Sequence, residues 1–143
     1  MTQNITYYST NASTLAKQYD SVPFESVHKE WLYAIPKEGM VLDVGAGSGR
    51  DARYLASKGL GVVAVEPATG IRELAQGYTV SNPIHWISDT LPELTEVFRL
   101  QTKFDLIIDA RSPKEFLESH MPKAKNLYAL NDEQHHEVGL IFV

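Results

Sequence analysis

Apolar residues between positions 40 and 109 fall into short unbroken runs, and the segments between the runs have apolar residues at helical spacing. Unbroken runs rich in Val, Ile and Leu are typical of strands buried on both faces of a parallel sheet. Alternation of such strands with helices predicts right-handed βαβ units. We therefore predict an α/β fold with a Rossmann-like parallel sheet and helices on both of its faces. The predicted strands are MVLDV (40–44), GVVAVE (61–66), IHWIS (84–88) and FDLIID (104–109).

Helices are predicted in the three segments between these strands. The segment RDARYLASKG has an apolar face and ends at a glycine, Gly59, as helices often do. The other two segments are PATGIRELAQG and LPELTEVFRL. Before the first strand, residues 11–33 carry two short helical patterns separated by Pro23, and we expect Trp31 and Trp86 to belong to the core.

The alternation stops after Asp109. We predict a short helix at about residues 113–119, an irregular stretch, and then a polar helix that begins near Asn131, a residue suited to an N-cap. The final LIFV is the only further strand that we predict.

Composition narrows the classes of function. A chain of 143 residues is long enough for one domain with a core. Its net charge of -5, without a cluster of Lys or Arg, makes nucleic acid an unlikely partner and a small-molecule ligand a more natural one. The sequence has no cysteine, which excludes a cysteine nucleophile. No apolar run approaches the roughly 20 residues that span a bilayer, so we expect a cytoplasmic protein with no membrane partner.

The first predicted strand leads directly into a glycine-rich turn, VLDVGAGSGR, at residues 41–50. Such a turn lets a ligand approach the backbone closely, at the N-terminus of the following helix. The glycines Gly45, Gly47 and Gly49 are followed by Arg50, where the dinucleotide fingerprint requires a small residue, so a pyrophosphate ligand is disfavoured. Asp43, two residues before the first glycine, suits a ligand with a cationic amino group.

Two further acids stand at the ends of predicted strands. Glu66 ends the second strand about twenty residues after the first glycine, where an acid can accept hydrogen bonds from two ribose hydroxyls. Asp89 follows the third strand and could bind an adenine amino group. These positions predict a nucleoside ligand.

In order and spacing, VLDVGAGSGRDARYLASKG, VVAVEPA, WISDTLPEL and FDLI resemble the class I S-adenosylmethionine (SAM)-dependent methyltransferases over residues 11–108. The resemblance implies a SAM-binding region at residues 1–108, with SAM or S-adenosylhomocysteine (SAH) as the ligand. It implies no metal, and it names neither a catalytic residue nor a methyl acceptor. The sheet would be truncated relative to the seven strands of a full methyltransferase. The residues expected to bind the cofactor are Asp43, Gly45, Ala46, Gly47, Gly49, Arg50, Glu66, Pro67, Asp89 and Thr90.

Some residues near this predicted site also have structural interpretations. Arg50 and Asp51 are expected to form a local cap or a mutual ion pair at the helix start. Tyr7, Tyr8 and Tyr19 could cover the ligand, although packing is the favoured role for aromatic residues in such a segment.

After the fourth strand, the patterns D-x-R-S-P, H-x-P-x-A-x-N-L and E-V-G resemble the start of the rhodanese domain of tRNA 2-selenouridine synthase, over about residues 104–139. The resemblance implies a rhodanese-like segment at 109–143 in which Asp109, Arg111 and His120 hold the fold. Rhodaneses act through a cysteine, which this sequence lacks, so sulfur transfer is not expected. A metal site at His135 and His136 is disfavoured.

These resemblances leave two functions open. The first is a SAM-dependent methyltransferase with an unknown acceptor. The second is a non-catalytic fusion of methyltransferase and rhodanese pieces that acts as a binding or assembly module. Because a truncated sheet would expose an apolar edge, we also expect a homodimer formed through that edge or through the C-terminal tail.

Overall fold

The computed structural model describes residues 5–6, 9–21, 23, 25, 28–78 and 82–127. The polar helix predicted near Asn131, the strand LIFV, Tyr7, Tyr8, the pair His135 and His136, and the side chain of Tyr19 lie outside what it describes.

The described residues form one parallel sheet of five strands. Its strand order is β3-β2-β1-β4-β5. The chain therefore adds β2 and β3 on one side of β1, and then adds β4 and β5 on the other side. The predicted parallel α/β architecture is confirmed. The strands are β1 (Met40–Val44), β2 (Gly61–Val65), β3 (Ile84–Ile87), β4 (Leu106–Asp109) and β5 (Lys125–Asn126).

The helices lie between and before these strands. They are α1 (Ala12–Asp20), a 3-10 helix (Lys29–Ala34), α2 (Arg50–Ser57), α3 (Thr69–Gln76), α4 (Thr95–Arg99) and α5 (Pro113–Glu118). No helix in the described part of the chain is long and apolar enough to cross a membrane.

The core has two layers because neighbouring residues of a strand point to opposite faces of the sheet. Val41 packs in a cluster with Leu55 of α2, whereas Leu42 packs in a second cluster with Val97 of α4. Helices therefore cover both faces, as predicted. Trp31 and Trp86 pack against the first cluster, which confirms their place at the core.

β5 is the strand that the sequence did not predict. Its two polar residues, Lys125 and Asn126, pair with Ile108 and Asp109 of β4. The next residue explains the pairing: the Leu127 amide donates to the Asp109 carbonyl at 3.0 Å, and the Leu127 side chain is buried in the first core cluster. The edge of β4 is therefore covered over these two residues, and the apolar edge expected there is not open along its whole length.

The helix predicted from LPELTEVFRL is shorter than expected. Residues 91–94 form a turn, and α4 begins only at Thr95. Leu94 adopts a left-handed conformation with φ of 45°, which is incompatible with a continuous helix through this position.

Candidate ligand site at the carboxyl edge of the sheet

The glycine-rich turn between β1 and α2 has a backbone that requires glycine. Gly45, Gly47 and Gly49 have φ values of 73°, 57° and 82°, in the region that residues with a Cβ rarely adopt. The turn folds back onto β2, because the amides of Gly45 and Ala46 both donate to the Val65 carbonyl at 2.9 Å. The glycine loop, residues 45–49, is thereby held across the carboxyl ends of β1 and β2.

Glu66 joins the end of β2 to this loop. Its Oε1 accepts a hydrogen bond from the Gly47 amide at 2.9 Å, and its Oε2 accepts one from the Ala68 amide at 3.0 Å. The Arg72 guanidinium donates to the Glu66 carbonyl at 2.6 Å and so fixes the turn from behind. Burial raises the pKa of Glu66, and the two amides and Arg72 oppose that rise. The structure thus brings the predicted acid and the predicted loop into direct contact.

Asp43 lies in β1 beneath the loop and has 0% of its surface exposed. Neither carboxyl oxygen has a hydrogen-bond partner among the described residues, which is unusual for a buried polar group. Burial raises the pKa of Asp43 well above its usual 3.8, and the nearby charges of Asp51, Asp109 and Glu66 raise it further, while Arg50 lowers it. The site therefore contains a buried acid to which the described part of the chain supplies no hydrogen bond.

The first turn of α2 contains the ion pair considered from the sequence. Arg50 Nε donates to Asp51 Oδ1 at 3.0 Å. The other oxygen, Asp51 Oδ2, lies 3.0 Å from Nε2 of His28, which is also buried. Sequence reasoning missed His28, because nothing in the local pattern predicts that a residue 23 positions earlier meets the start of α2.

Asp89 stands after β3, as predicted, and it also has a structural role that the sequence did not predict. Its Oδ1 accepts from the Thr90 amide at 2.9 Å, and its Oδ2 accepts from the amides of Glu96 and Val97 at 2.9 and 3.1 Å. These bonds satisfy free N–H groups at the start of α4. Thr90 contributes its carbonyl to the same turn by accepting from the Leu94 amide at 2.9 Å. Pro67 lies half-buried directly after Glu66.

The segment after β4 closes the other side of the glycine loop. Arg111 donates from Nε to Asp109 Oδ1 at 2.9 Å and from Nη2 to Asp109 Oδ2 at 2.7 Å. Asn126 of β5 donates to the carbonyls of both residues, at 3.0 and 2.9 Å. His120 stacks on the ring of Phe116 with 3.8 Å between the ring centroids. Asp109 and Arg111 therefore hold the local structure between β4 and β5. His120 is exposed, and a structural role for it stays a prediction.

Arg111 also contacts the glycine loop, which was not predicted. A Cβ placed on Gly45 would lie 2.8 Å from Arg111 Cγ and 3.7 Å from its Cδ. The stem of Arg111 therefore lies against the backbone of the loop, and Gly45 is required for this approach as well as for its φ value.

Solved structures with the same fold include methyltransferases. A TehB-like SAM-dependent methyltransferase from Corynebacterium glutamicum is 21% identical, with a TM-score of 0.52 over 78% of this chain and 56% of that chain. The complex of DhpI with SAH is 21% identical, with a TM-score of 0.53 over 80% of this chain and 56% of that chain. The DhpI–SAM–HEP complex gives the same identity and TM-score over 87% of this chain and 61% of that chain. This chain thus spans less than two thirds of the length of these three structures.

Comparison at the level of sequence gives the family. No curated protein matches the chain significantly. The family description "Tellurite resistance protein TehB" matches residues 5–125, which include the glycine loop, Glu66, Asp89 and the strands β1 to β4. Since this match extends over most of the chain, the protein belongs to the TehB family.

Proposed function

We propose that the chain binds SAM, or SAH after methyl transfer, at the carboxyl edge of β1 and β2. The observation that carries the proposal is the hydrogen bond between the Gly47 amide and the Glu66 carboxylate. It places a glycine loop and a strand-end acid side by side, within a chain of the TehB family. If the protein is active as an enzyme, it is a SAM-dependent methyltransferase whose acceptor is unidentified.

The residues of the site suit such a ligand. Each oxygen of Glu66 accepts one backbone N–H, and a carboxylate oxygen has a second lone pair that a ribose hydroxyl can use. The unpartnered, acidic surroundings of Asp43 favour a ligand that carries positive charge, as SAM does on its sulfonium and ammonium groups. SAM would supply the methyl group, and the chain would supply orientation, which accounts for much of the rate in such transfers.

The remaining residues predicted from the sequence take positions along the same edge. In the proposal, the backbone of residues 45–49 packs against the ligand, and Arg50 helps to hold the loop through Asp51. Pro67, Asp89 and Thr90 would border the adenine end. Asp43 would lie beneath the loop, near the methionine portion of the ligand, with no exposed surface of its own.

Isothermal titration calorimetry with SAM and SAH tests this proposal. Glu66→Gln should weaken both ligands by about 10- to 100-fold, since a hydrogen bond to a charged group is worth roughly 1.5–3 kcal/mol. Glu73→Gln is the matched control, because Glu73 is an exposed acid on the following helix, α3. Absence of binding to the unchanged protein at high ligand concentration would refute the proposal.

A second candidate is a non-catalytic binding or assembly module with a rhodanese-like segment at residues 109–143. It is supported by the contacts of Asn126 with Asp109 and Arg111, because all three residues belong to the patterns shared with the rhodanese domain. With no cysteine in the chain, this segment would have no sulfurtransferase activity. Binding of SAM without methyl transfer to any candidate acceptor would favour this function over the enzyme.

The cytoplasmic location and the homodimer also stay proposals. The tail that follows Leu127, or the short edge strand β5, would form the contact between copies. Sedimentation at increasing protein concentration tests the dimer, and a single monomeric species at every concentration would contradict it.

A further inference from the structure

Strand order places the residues of the site in a row. Because all five strands are parallel, the segments that follow them meet at one edge of the sheet. Along this edge, Asp89 follows β3, Glu66 follows β2, and the glycine loop follows β1. Arg111 comes next, after β4. A ligand whose ribose lies at Glu66 and whose base lies toward Asp89 therefore extends its other end toward Arg111.

The guanidinium of Arg111 is held in place by hydrogen bonds, but not all of its donors are used. Its Nε and Nη2 bind Asp109, and Nη2 also donates to the Ser119 carbonyl at 2.5 Å. Within the described residues, Nη1 and its two N–H groups have no hydrogen-bond partner. The side chain is 16% exposed, and its stem lies against Gly45. A rigid donor is thus held at the far end of the proposed ligand.

The charges around the loop make this donor important. Asp51, Glu66 and Asp109 lie close enough to Asp43 to raise its pKa, so the surroundings of the loop are acidic and disfavour a ligand anion. Arg50 is paired with Asp51. Arg111 has a fixed position at the β4 side of the loop, and its Nη1 donors are not used by the described residues. The planar guanidinium matches the geometry of a carboxylate.

We propose that Arg111 binds the carboxylate at the amino-acid end of the ligand through Nη1. It would then determine specificity, by favouring ligands that carry an amino-acid tail over nucleosides that lack one. This inference rests on the proposed function.

The test compares SAH with 5′-methylthioadenosine, a neutral thioether nucleoside that lacks the amino-acid tail. Binding of both compounds is measured by calorimetry for the unchanged protein, Arg111→Lys, and a double variant with Asp109→Asn and Arg111→Gln. The double variant removes both charges together, so that no buried carboxylate is left unpaired. Arg99→Gln is the control, because Arg99 is 70% exposed and pairs with Glu96 on α4.

The double variant should lose about 10- to 100-fold in affinity for SAH and keep its affinity for 5′-methylthioadenosine, as expected for loss of one charged hydrogen bond. Arg111→Lys should lie between the double variant and the unchanged protein. Equal losses for both compounds, or no loss for SAH, would overturn the assignment. Tighter binding of both compounds would show instead that the Arg111 stem obstructs the loop. If the unchanged protein binds neither compound, the proposed function itself fails, and the assignment falls with it.

Discussion

Two buried carboxylates at the same edge of the sheet differ in their hydrogen-bond partners. Asp43 in β1 and Asp109 in β4 lie in paired strands, and both are buried, with 0% and 1% of their surface exposed. Asp109 accepts three hydrogen bonds from Arg111, whereas neither oxygen of Asp43 has a partner among the described residues. Buried charges that stabilise a fold are paired, so Asp109 fits a structural role and Asp43 does not. Asp109 thus stabilises the β4 side and fixes the guanidinium of Arg111, whereas Asp43 belongs to the proposed ligand site.

The largest effect should come from unpairing Asp109. Arg111→Met keeps much of the stem and removes the guanidinium, which leaves a buried carboxylate without its partner. Breaking a buried ion pair in this way costs about 3–5 kcal/mol. Urea denaturation followed by circular dichroism measures the loss. Arg99→Gln, which breaks an exposed pair, should cost less than about 1 kcal/mol, and similar losses for the two variants would contradict the comparison.

The anchor of β5 should have the next largest effect. Leu127→Ala removes a buried side chain that secures β5 beside β4, and it should reduce the free energy of unfolding by about 2–5 kcal/mol. Leu117→Ala is the matched control, because Leu117 on α5 is 80% exposed and should stay within about 0.5 kcal/mol. If the two variants unfold at the same urea concentration, β5 does not secure the β4 side as the structure indicates.

A smaller effect, with a distinctive pH dependence, should come from Asp43→Asn. The pKa of Asp43 is raised in the folded protein, mainly by burial, so the folded state binds this proton more tightly than the unfolded chain does. Its stabilising contribution is full below the unfolded value near 3.8 and declines as the pH rises through the raised folded pKa. Glu66, whose pKa is also raised, acts in the same direction.

Asp43→Asn should therefore be more stable than the unchanged protein at about pH 8, by about 1–3 kcal/mol, and the difference should shrink toward about pH 4. Urea unfolding at several pH values measures it. Glu93→Gln replaces an exposed acid and should show no such difference. A variant that is less stable at high pH would mean that the Asp43 carboxylate has a stabilising partner, and the contrast with Asp109 would be lost.

The sequence predicts best what depends on neighbours along the chain. Apolar runs predicted four of the strands, since burial on both faces leaves a clear local pattern. The glycine loop was predicted because glycines mark positions where the backbone needs a positive φ, and Gly45, Gly47 and Gly49 all have positive φ values in the structure. Strand-end positions were enough to bring Glu66 to the loop, as the Gly47 contact shows.

Features formed by distant segments could not be predicted in this way. β5 has only two polar residues and depends on Leu127 reaching the core. The contact of Arg111 with Gly45 arises only when β4 pairs with β1. Asp89 gave a signal for a ligand site, but its bonds to the amides of Glu96 and Val97 require a turn whose shape the sequence did not indicate.

Binding of SAM at the carboxyl edge of β1 and β2 is tested most directly by a nuclear magnetic resonance titration with SAM. Glycines lie at both ends of these strands: Gly45, Gly47 and Gly49 at the carboxyl edge, and Gly39, Gly59 and Gly61 at the amino edge. The amide signals of the first set should shift in proportion to bound ligand, while those of the second set stay in place. No shift at saturating SAM, or shifts confined to the amino-edge glycines, would contradict binding of SAM at the carboxyl edge.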